Sequence, residues 1–221
     1  MDQPGYGLIE TMRVREGRIP LLPRHLARLQ RSLNELGLPT PAQNLVALVT
    51  PFSATGDAVL RLEVRDGRAS VTVRAAPPLE APAVITAAEP HRPYPHKTTE
   101  RDCFVAAAAE AERAEADDAL LLTHDGFVAE GTAWSVFWWE GDELRTPALD
   151  LGILPGIGRA RVLELVTRVD QGRYKGQQVA RQSLFLTNSV RGVVPIASLD
   201  GVQAAPDPRT AELVGRFWPA P

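Results

Sequence analysis

The sequence predicts an α+β protein of two domains, because both halves mix strand patterns with helix patterns and a proline-rich stretch separates them. The chain has 221 residues, 44% of them hydrophobic, which is enough for two small domains with buried cores. The stretch PPLEAPA at positions 77–83 combines prolines with a change in polarity. We therefore expect a small α+β domain at 1–76, a linker at 77–83 and a larger α+β domain at 84–221.

The first domain is predicted to contain two strands, two helices and a hairpin. The spacing of apolar residues places strands at Gly7–Arg15 and Ile19–Leu22, helices at Arg24–Leu36 and Ala42–Val49, and a hairpin over residues 58–76. Glu16–Gly17 predicts a turn between the strands, Gly37 the end of the first helix, and Asp66–Gly67 the tip of the hairpin.

The second domain is predicted to alternate strands with three helices. In chain order we expect a strand near Val84–Thr86, an alanine-rich helix after Lys97, a three-stranded meander over residues 117–147, a glycine-rich turn entering a helix over residues 152–169, a strand, polar break and strand over residues 183–201, and a last helix at Glu212–Trp218. Turns are expected at Asp125–Gly126 and Glu140–Asp142 within the meander.

Composition and charge exclude several classes of protein. The formal net charge of -3 does not favour nucleic-acid binding. The single cysteine, Cys103, rules out an intramolecular disulfide and a cysteine-rich metal site, and none of the four histidines belongs to an HExxH pair, so we expect no catalytic metal. No apolar stretch is long enough to span a bilayer, and the first residues lack an apolar signal core. We expect a cytoplasmic protein that has no membrane or nucleic-acid partner.

Lys97 is the first of four candidate functional residues or segments. It lies between a proline-rich approach and the alanine-rich helix, where Thr98 and Thr99 are predicted N-caps. The partial positive charge of a helix N-terminus, together with partial burial, would lower the pKa of the ammonium. An amine that forms an imine needs such a pKa. The alternative is an exposed lysine that merely precedes a helix, and this segment alone favours it.

The other three candidates are a glycine-rich turn, a carboxylate and a polar strand end. Gly152, Gly156 and Gly158 predict an anion site at a helix start, or an ordinary tight turn. Glu130 interrupts an apolar strand, so it either meets a partner such as a protonated ring nitrogen or faces water from an edge strand. The segment 187–189, Thr-Asn-Ser, either holds phosphate or carboxylate or forms a hydrophilic turn. Together the four signals require an aldehyde, a phosphate and a basic ring nitrogen, which pyridoxal 5′-phosphate combines.

Four segments in this order resemble the fold-type IV pyridoxal-phosphate enzymes. They are LIETMRVREGRIPLLPRHLARLQRSLNELGLP, HKTTER, DDALLLTHDGFVAEGTAWSVFWW and TPALDLGILPGIGRARVLEL. That family includes branched-chain aminotransferases, D-amino-acid aminotransferases and aminodeoxychorismate lyases, and the resemblance covers nearly the whole chain. It implies two α+β domains with the cofactor in the cleft between them, a small-molecule amino substrate and a homodimer.

The resemblance also implies roles for individual residues. Lys97 would bind the cofactor covalently, Glu130 would pair with the protonated pyridine nitrogen, and Arg28 would contact the phosphate. The remaining phosphate ligands would be the backbone N–H groups of Ile157 and Gly158 and the side chain of Thr187 or Asn188.

Within the family, residues 183–201 look most like the lyase branch, which releases 4-aminobenzoate and pyruvate from 4-amino-4-deoxychorismate. The alternatives are a branched-chain or D-amino-acid transaminase, and a non-catalytic member. Arg61, on one face of the hairpin, and Arg191, after the polar break, are candidates for binding a substrate carboxylate. For both arginines the alternative is a solvated surface position.

The chain departs from the family pattern at three places. Gly158 stands where a threonine is usual, and Ser135 stands where an asparagine is usual. The chain also starts late relative to the family, and Pro4 takes the place of an aromatic residue that lines the substrate pocket, a role for which Tyr6 is the substitute. These departures bear on substrate specificity more than on cofactor binding.

Overall fold

The computed structural model describes residues 5–76 and 80–220. These residues form two compact units, one of residues 5–76 with His96–Glu100 and 219–220, the other of residues 80–95 with Arg101–Trp218. The α+β class is confirmed, since each unit combines sheets with helices. The domain boundaries stay a prediction and part of the linker, 77–79, lies outside the described residues. One difference is plain: residues 96–100, assigned by sequence to the second domain, belong to the first unit.

The first unit is built on a three-stranded antiparallel sheet in the order β1–β2–β3. Its elements are β1 (Leu8–Val14), α1 (Leu22–Leu36), α2 (Leu45–Val49), a 3₁₀ helix (Thr50–Thr55), β2 (Ala58–Arg65) and β3 (Arg68–Ala75). Leu29 and Leu33 of α1 pack on Leu60 and Leu62 of β2 in one buried cluster. The apolar face of the helix and the alternating face of the strand, both predicted from spacing, therefore form the core of this unit.

Local backbone signals explain the turns and helix ends of the first unit. Gly37 ends α1 with a φ of +63°, and Asp66 and Gly67 have φ values of +51° and +70°, which a two-residue hairpin requires at both positions. The predicted strand at Ile19–Leu22 is wrong, because α1 already begins at Leu22 with Pro23 in its first turn. The second helix begins three residues later than predicted, since the side chain of Asn44 accepts a hydrogen bond from Ala47 N and caps it there.

Chain segments far apart in sequence complete the first unit. The carbonyl of Lys97 accepts a hydrogen bond from Ile9 N at 2.8 Å, on β1. Arg18 donates to the carbonyl oxygens of Ala220 at 2.7 Å and Pro219 at 2.9 Å. The unit is therefore assembled from three separate stretches of chain.

The second unit contains two five-stranded sheets, in the orders β11–β10–β7–β8–β9 and β13–β12–β4–β5–β6. The strands are β4 (Ala83–Thr86), β5 (Asp118–Leu122), β6 (Val128–Gly131), β7 (Ser135–Glu140), β8 (Glu143–Pro147), β9 (Val169–Gly172), β10 (Ser183–Asn188), β11 (Gly192–Pro195), β12 (Ser198–Leu199) and β13 (Val202–Gln203). Leu120 and Val128 of one sheet share a buried cluster with Val136, Trp138 and Leu186 of the other. The two sheets therefore enclose a common core.

The predicted three-stranded meander is wrong. Its residues form four strands, of which β5 and β6 pair in one sheet while β7 and β8 pair in the other. The chain changes sheet at the turn 132–134, which Asp118 holds by accepting hydrogen bonds from Thr132 N at 2.9 Å and Trp134 Nε1 at 2.8 Å.

Helices complete the second unit: α3 (Asp102–Arg113), α4 (Ile157–Leu165), α5 (Gly176–Val179) and α6 (Pro208–Arg216), with a 3₁₀ turn at Leu149–Leu151. The last helix begins four residues earlier than predicted, because Asp207 caps it by accepting a hydrogen bond from Arg209 N at 2.9 Å. Phe104, Ala107 and Ala111 of α3 pack against Ala119 and Leu121 of β5. In the described part of the chain, no helix has the length and apolar character needed to cross a membrane.

Candidate functional site

Lys97 lies in a segment that is hydrogen-bonded to the edge of β1. Besides the hydrogen bond from Ile9 N to the carbonyl of Lys97, Thr99 N donates to Gly7 O at 2.8 Å, and Thr98 forms an antiparallel β-bridge with Leu8. The side chain of Lys97 is partly buried. The residue that the sequence singled out is therefore held by backbone pairing at its own carbonyl and at the two residues that follow it.

The predicted helix capping beside Lys97 is wrong. Helix α3 begins at Asp102, its N-cap is Arg101, and no side chain caps it. Thr99 Oγ1 instead accepts hydrogen bonds from Gly7 N at 3.0 Å and Arg65 Nη2 at 3.2 Å. The threonines therefore pair with residues of the first unit instead of capping α3.

A buried triad in the first unit was not recognised from the sequence. Glu10 Oε2 lies 2.6 Å from His25 Nδ1, and the Nε and Nη2 of Arg28 donate to Glu10 at 2.8 and 2.6 Å. Burial raises the pKa of Glu10, but Arg28 and His25 outweigh it, so that the pKa is lowered to about 2. Burial lowers the pKa of His25 against the attraction of Glu10, and the charge of Lys97 also lowers it.

The arrangement of the triad bears on the predicted role of Arg28. Glu10 fixes the orientation of the guanidinium, and His25 Nε2 is buried with no hydrogen-bond partner among the residues described. Because the ionised Glu10 cannot donate, Nδ1 of neutral His25 carries the ring proton, so a ligand that donates a hydrogen bond would satisfy Nε2. The available signals were an acidic residue in an apolar strand and a His-Arg pair three apart on one helix face.

Glu130, on β6, is buried at 5% exposure, so the water-facing alternative is wrong. Its Oε1 lies 2.9 Å from His91 Nε2 and accepts a hydrogen bond from Leu154 N at 3.1 Å. The described contacts of the carboxylate both involve this one oxygen. The carboxylate is therefore oriented by two groups, neither of which the sequence identified as its partner.

The glycine-rich turn and the polar strand end meet in the second unit. A Cβ atom added to Gly158 would lie 2.8 Å from both Thr187 Oγ1 and Asn188 Cα, and one added to Gly156 would lie 2.6 Å from Ser135 Oγ. Both glycines are thus required by close approach of neighbouring strands. The structure brings together the four predicted phosphate ligands Ile157, Gly158, Thr187 and Asn188.

The close approach of Gly156 and Gly158 to Ser135, Thr187 and Asn188 is called the anion cradle below, because the polar groups around it suit an anion. Helix α4 has Gly156 as its N-cap with no side-chain cap, and its first intrahelical donor is Ala160 N, to Gly156 O. The hydroxyl of Thr187 is buried with no hydrogen-bond partner in the described ranges. Asn188 is different, since its Oδ1 already accepts from Val190 N and Arg191 N at 2.9 and 2.8 Å. Thr187 rather than the side chain of Asn188 therefore fits an incoming phosphate.

The three residues suggested for substrate binding have different surroundings. Arg61 is paired with Glu63 at 3.1 Å and its side chain is 41% exposed, as the surface alternative expects. Arg191 lies over the ring of Trp134 at 5.6 Å from the centroid. Tyr6 lines a small hollow of the first unit with Leu38 and Gly67. Pro4 lies outside the described residues.

The fold and these sites define an α+β protein with an anion cradle and an oriented buried carboxylate. The class IV aminotransferase family profile matches residues 7–199. The aminodeoxychorismate lyase of Bacillus subtilis is 26% identical over an alignment that covers 90% of this chain and 79% of the relative. A fold IV transaminase of Curtobacterium pusillum is 27% identical with a TM-score of 0.84, over 96% of this chain and 83% of that one. A branched-chain aminotransferase of Thermobaculum terrenum, solved with pyridoxal phosphate, has a TM-score of 0.83 at 22% identity, over 96% and 83%.

The chain belongs to the class IV aminotransferase family, and its cofactor is pyridoxal 5′-phosphate. It is an enzyme of the lyase or aminotransferase kind within that family. The residues present fit the cofactor. The buried hydroxyl of Thr187, which has no hydrogen-bond partner among the described residues, and the glycine cradle suit its phosphate. The carboxylate of Glu130, whose described contacts involve only Oε1, suits its ring nitrogen.

Proposed function

We propose that this enzyme cleaves 4-amino-4-deoxychorismate to 4-aminobenzoate and pyruvate, with Lys97 as its catalytic residue. The observation that carries the proposal is the pairing, within one unit, of the anion cradle at Gly158 and Thr187 with the oriented carboxylate of Glu130. The lyase branch is supported by the similarity to the Bacillus subtilis enzyme over 90% of the chain. Residues 183–201, which look most like the lyase branch within the family, support the same branch; they include β10, a polar turn and β11.

Each residue has a stated task in this proposal. Bound pyridoxal 5′-phosphate supplies an electron sink for bonds at the substrate carbon. Lys97 binds the cofactor through its amine, takes a proton from the substrate carbon and returns one later. Glu130 keeps a proton on the ring nitrogen by remaining anionic beside it.

The phosphate is bound mainly by groups of the second unit. The first N–H groups of α4, at Ile157 and Gly158, and the hydroxyl of Thr187 would hold it by donating hydrogen bonds. Arg28 adds a charge-assisted hydrogen bond in the proposal, with Glu10 fixing the direction of its guanidinium.

A substrate carboxylate is assigned to Arg191 or Arg61, as the sequence suggested. Arg191 is the better supported of the two because its backbone N–H bonds to Asn188, next to the cradle, whereas Arg61 is already paired with Glu63. Arg191→Lys should raise KM for the best substrate about tenfold without changing cofactor absorbance. The reason is that lysine lacks the planar guanidinium that binds a carboxylate through two parallel hydrogen bonds. An unchanged KM places the carboxylate anchor elsewhere.

The second candidate function is amino transfer to a 2-oxo acid. The similarity to the transaminase of Curtobacterium pusillum, over 96% of this chain, favours it. The proposal also includes a homodimer, which the family resemblance implies, and a cytoplasmic location, which is the expectation from the sequence. A sedimentation experiment on the purified enzyme tests the homodimer.

One product assay separates the candidates. The purified enzyme, loaded with pyridoxal 5′-phosphate, is supplied with 4-amino-4-deoxychorismate in one reaction and with a panel of L- and D-amino acids plus 2-oxoglutarate in others. Release of 4-aminobenzoate supports the lyase, and formation of glutamate with a new 2-oxo acid supports the transaminase. An enzyme that binds the cofactor, shown by an absorbance band that borohydride abolishes, yet yields neither product contradicts both.

A further inference from the structure

His91 is a buried histidine that neither the sequence analysis nor the family resemblance assigned a role. Its side chain is 1% exposed, and its Nε2 lies 2.9 Å from Oε1 of Glu130. Its backbone N–H donates to Leu122 O at 2.7 Å, and its ring meets Phe104 edge-on at 5.9 Å. Strand β5 and helix α3 therefore fix both ends of the residue.

In the proposed role Glu130 is a carboxylate, and this assigns the donor of the hydrogen bond. An ionised carboxylate has no hydrogen to give, so Nε2 of His91 carries the proton of this hydrogen bond. Leu154 N donates to the same oxygen, at 3.1 Å. Two donors on Oε1 stabilise the anion and prevent the carboxylate from rotating, while the described contacts leave Oε2 to a ligand.

We propose that His91 is a positioning residue, which holds Oε1 of Glu130 so that Oε2 faces the ring nitrogen of pyridoxal 5′-phosphate as an anion. This inference rests on the proposed role of Glu130. His91 acts on the cofactor only through that carboxylate, in the way that groups behind a metal ligand or catalytic side chain orient it and tune its basicity. Its effect is therefore specific to a ligand that has a ring nitrogen.

A pair of substitutions isolates the N–H donor. His91→Gln keeps an amide N–H at nearly the position of Nε2, whereas His91→Phe keeps a ring against Phe104 and has no donor. His124→Phe is the matched control, because His124 is an exposed histidine in the turn after β5 of the same unit.

The readout is the dissociation constant of the apoenzyme for pyridoxal 5′-phosphate and for its carbocyclic analogue, in which a C–H group replaces the ring nitrogen. His91→Phe should weaken binding of pyridoxal 5′-phosphate about tenfold or more and leave binding of the analogue unchanged. His91→Gln and His124→Phe should stay close to the parent for both ligands. Equal losses for both ligands, or no loss for either, would overturn the proposal, since a purely structural role moves the two together.

Glu130→Gln, measured in the same way, separates this inference from the proposed function. If Glu130→Gln retains the preference for the cofactor over the analogue, Glu130 does not face the ring nitrogen and both proposals fail. If Glu130→Gln loses the preference but His91→Phe keeps it, only the role of His91 fails.

A second measurement covers the case in which His91→Phe does not fold. In parent apoenzyme with ¹⁵N-labelled histidine, the Nε2 resonance of His91 is assigned by its absence from His91→Gln. It should move when pyridoxal 5′-phosphate binds and stay in place when the analogue binds. A resonance that moves equally with both ligands, or with neither, contradicts the proposal.

Discussion

At the residue scale, the proposed site depends on a few polar groups whose contacts within the protein limit what each can bind. The carbonyl of Lys97 accepts a hydrogen bond from β1, and the described hydrogen bonds of Glu130 are all made by Oε1. The hydroxyl of Thr187 is buried with no hydrogen-bond partner in the part of the chain described. Gly158 has no room for a side chain. Each of these facts gives a substitution a predictable effect.

Lys97→Ala should abolish covalent cofactor binding while the protein stays folded, because the residue is partly buried beside β1 and does not fill a core. Borohydride reduction followed by peptide mapping should find the pyridoxyl group on Lys97 of the parent and none in the variant. Lys175→Ala is the control, since Lys175 already lies on the ring of Phe127, at 3.9 Å from its centroid. A pyridoxyl group on Lys175 in the parent would refute the assignment.

Gly158→Thr restores the residue usual in the family and should nevertheless weaken cofactor binding. The new Cβ would lie 2.8 Å from Asn188 Cα and Thr187 Oγ1, so the backbone of β10 must shift. Overpacking of this kind costs about 1–3 kcal/mol of unfolding free energy. Urea denaturation of the apoenzyme and a binding titration measure the two effects. Thr187→Val should also weaken binding, because it removes the hydroxyl; tighter binding by Gly158→Thr would contradict the account.

At the element scale, local signals predicted the elements well and pairing between distant elements poorly. Gly37 and Asp66–Gly67 were predicted correctly because their backbone conformations depend on the residue itself. The change of sheet between β6 and β7 was missed, since it is set by hydrogen bonds from residues 132 and 134 to Asp118. No spacing rule joins residues that far apart in the chain.

For the candidate site too, local signals identified single residues but not their partners on other elements. Lys97, Glu130 and the glycine-rich turn stood out by residue type within their own segments. The partners Glu10 with His25 and His91 with Glu130 were missed, because each pair joins two elements whose packing is not encoded in either segment alone.

The triad between β1 and α1 should make the first unit sensitive to acid. Relative to the unfolded chain, the pKa of His25 is lowered from 6.5 and that of Glu10 from 4.5 to about 2, so at low pH the unfolded chain binds more protons in both cases. The free energy of unfolding should therefore fall as pH drops below 6.5, and again from 4.5 towards 2. Urea denaturation at a series of pH values checks this, and a constant free energy from pH 7 to 3 would contradict it.

Glu10→Gln tests the same triad at neutral pH. It should cost about 3–5 kcal/mol of unfolding free energy, because Arg28 stays buried without its counter-charge. Asp57→Asn is the control in the same unit, since the ion pair of Asp57 with Arg13 lies at the surface and is worth about 1 kcal/mol or less.

At the scale of the whole molecule, the cofactor should act as a stabilising ligand. A ligand present at about 100 times its dissociation constant stabilises the folded state by about 2.7 kcal/mol. For a chain of 221 residues, this corresponds to a rise in melting temperature of roughly 5–10 °C. Differential scanning fluorimetry with pyridoxal 5′-phosphate should show it, and pyridoxal, which lacks the phosphate, should give a smaller rise. Equal rises in melting temperature with both compounds would contradict phosphate binding by the anion cradle.

The first unit has a consequence for how the protein is made. Its sheet comes from the first third of the chain, but Lys97 pairs with β1 from the middle, and Arg18 bonds to Ala220, 202 residues further on. A ribosome delivers residues in order, at about 5–20 per second. The nascent β1 therefore waits with its edge exposed, open to pairing with other chains. Strand β1 is therefore made well before the residues that complete the unit to which it belongs.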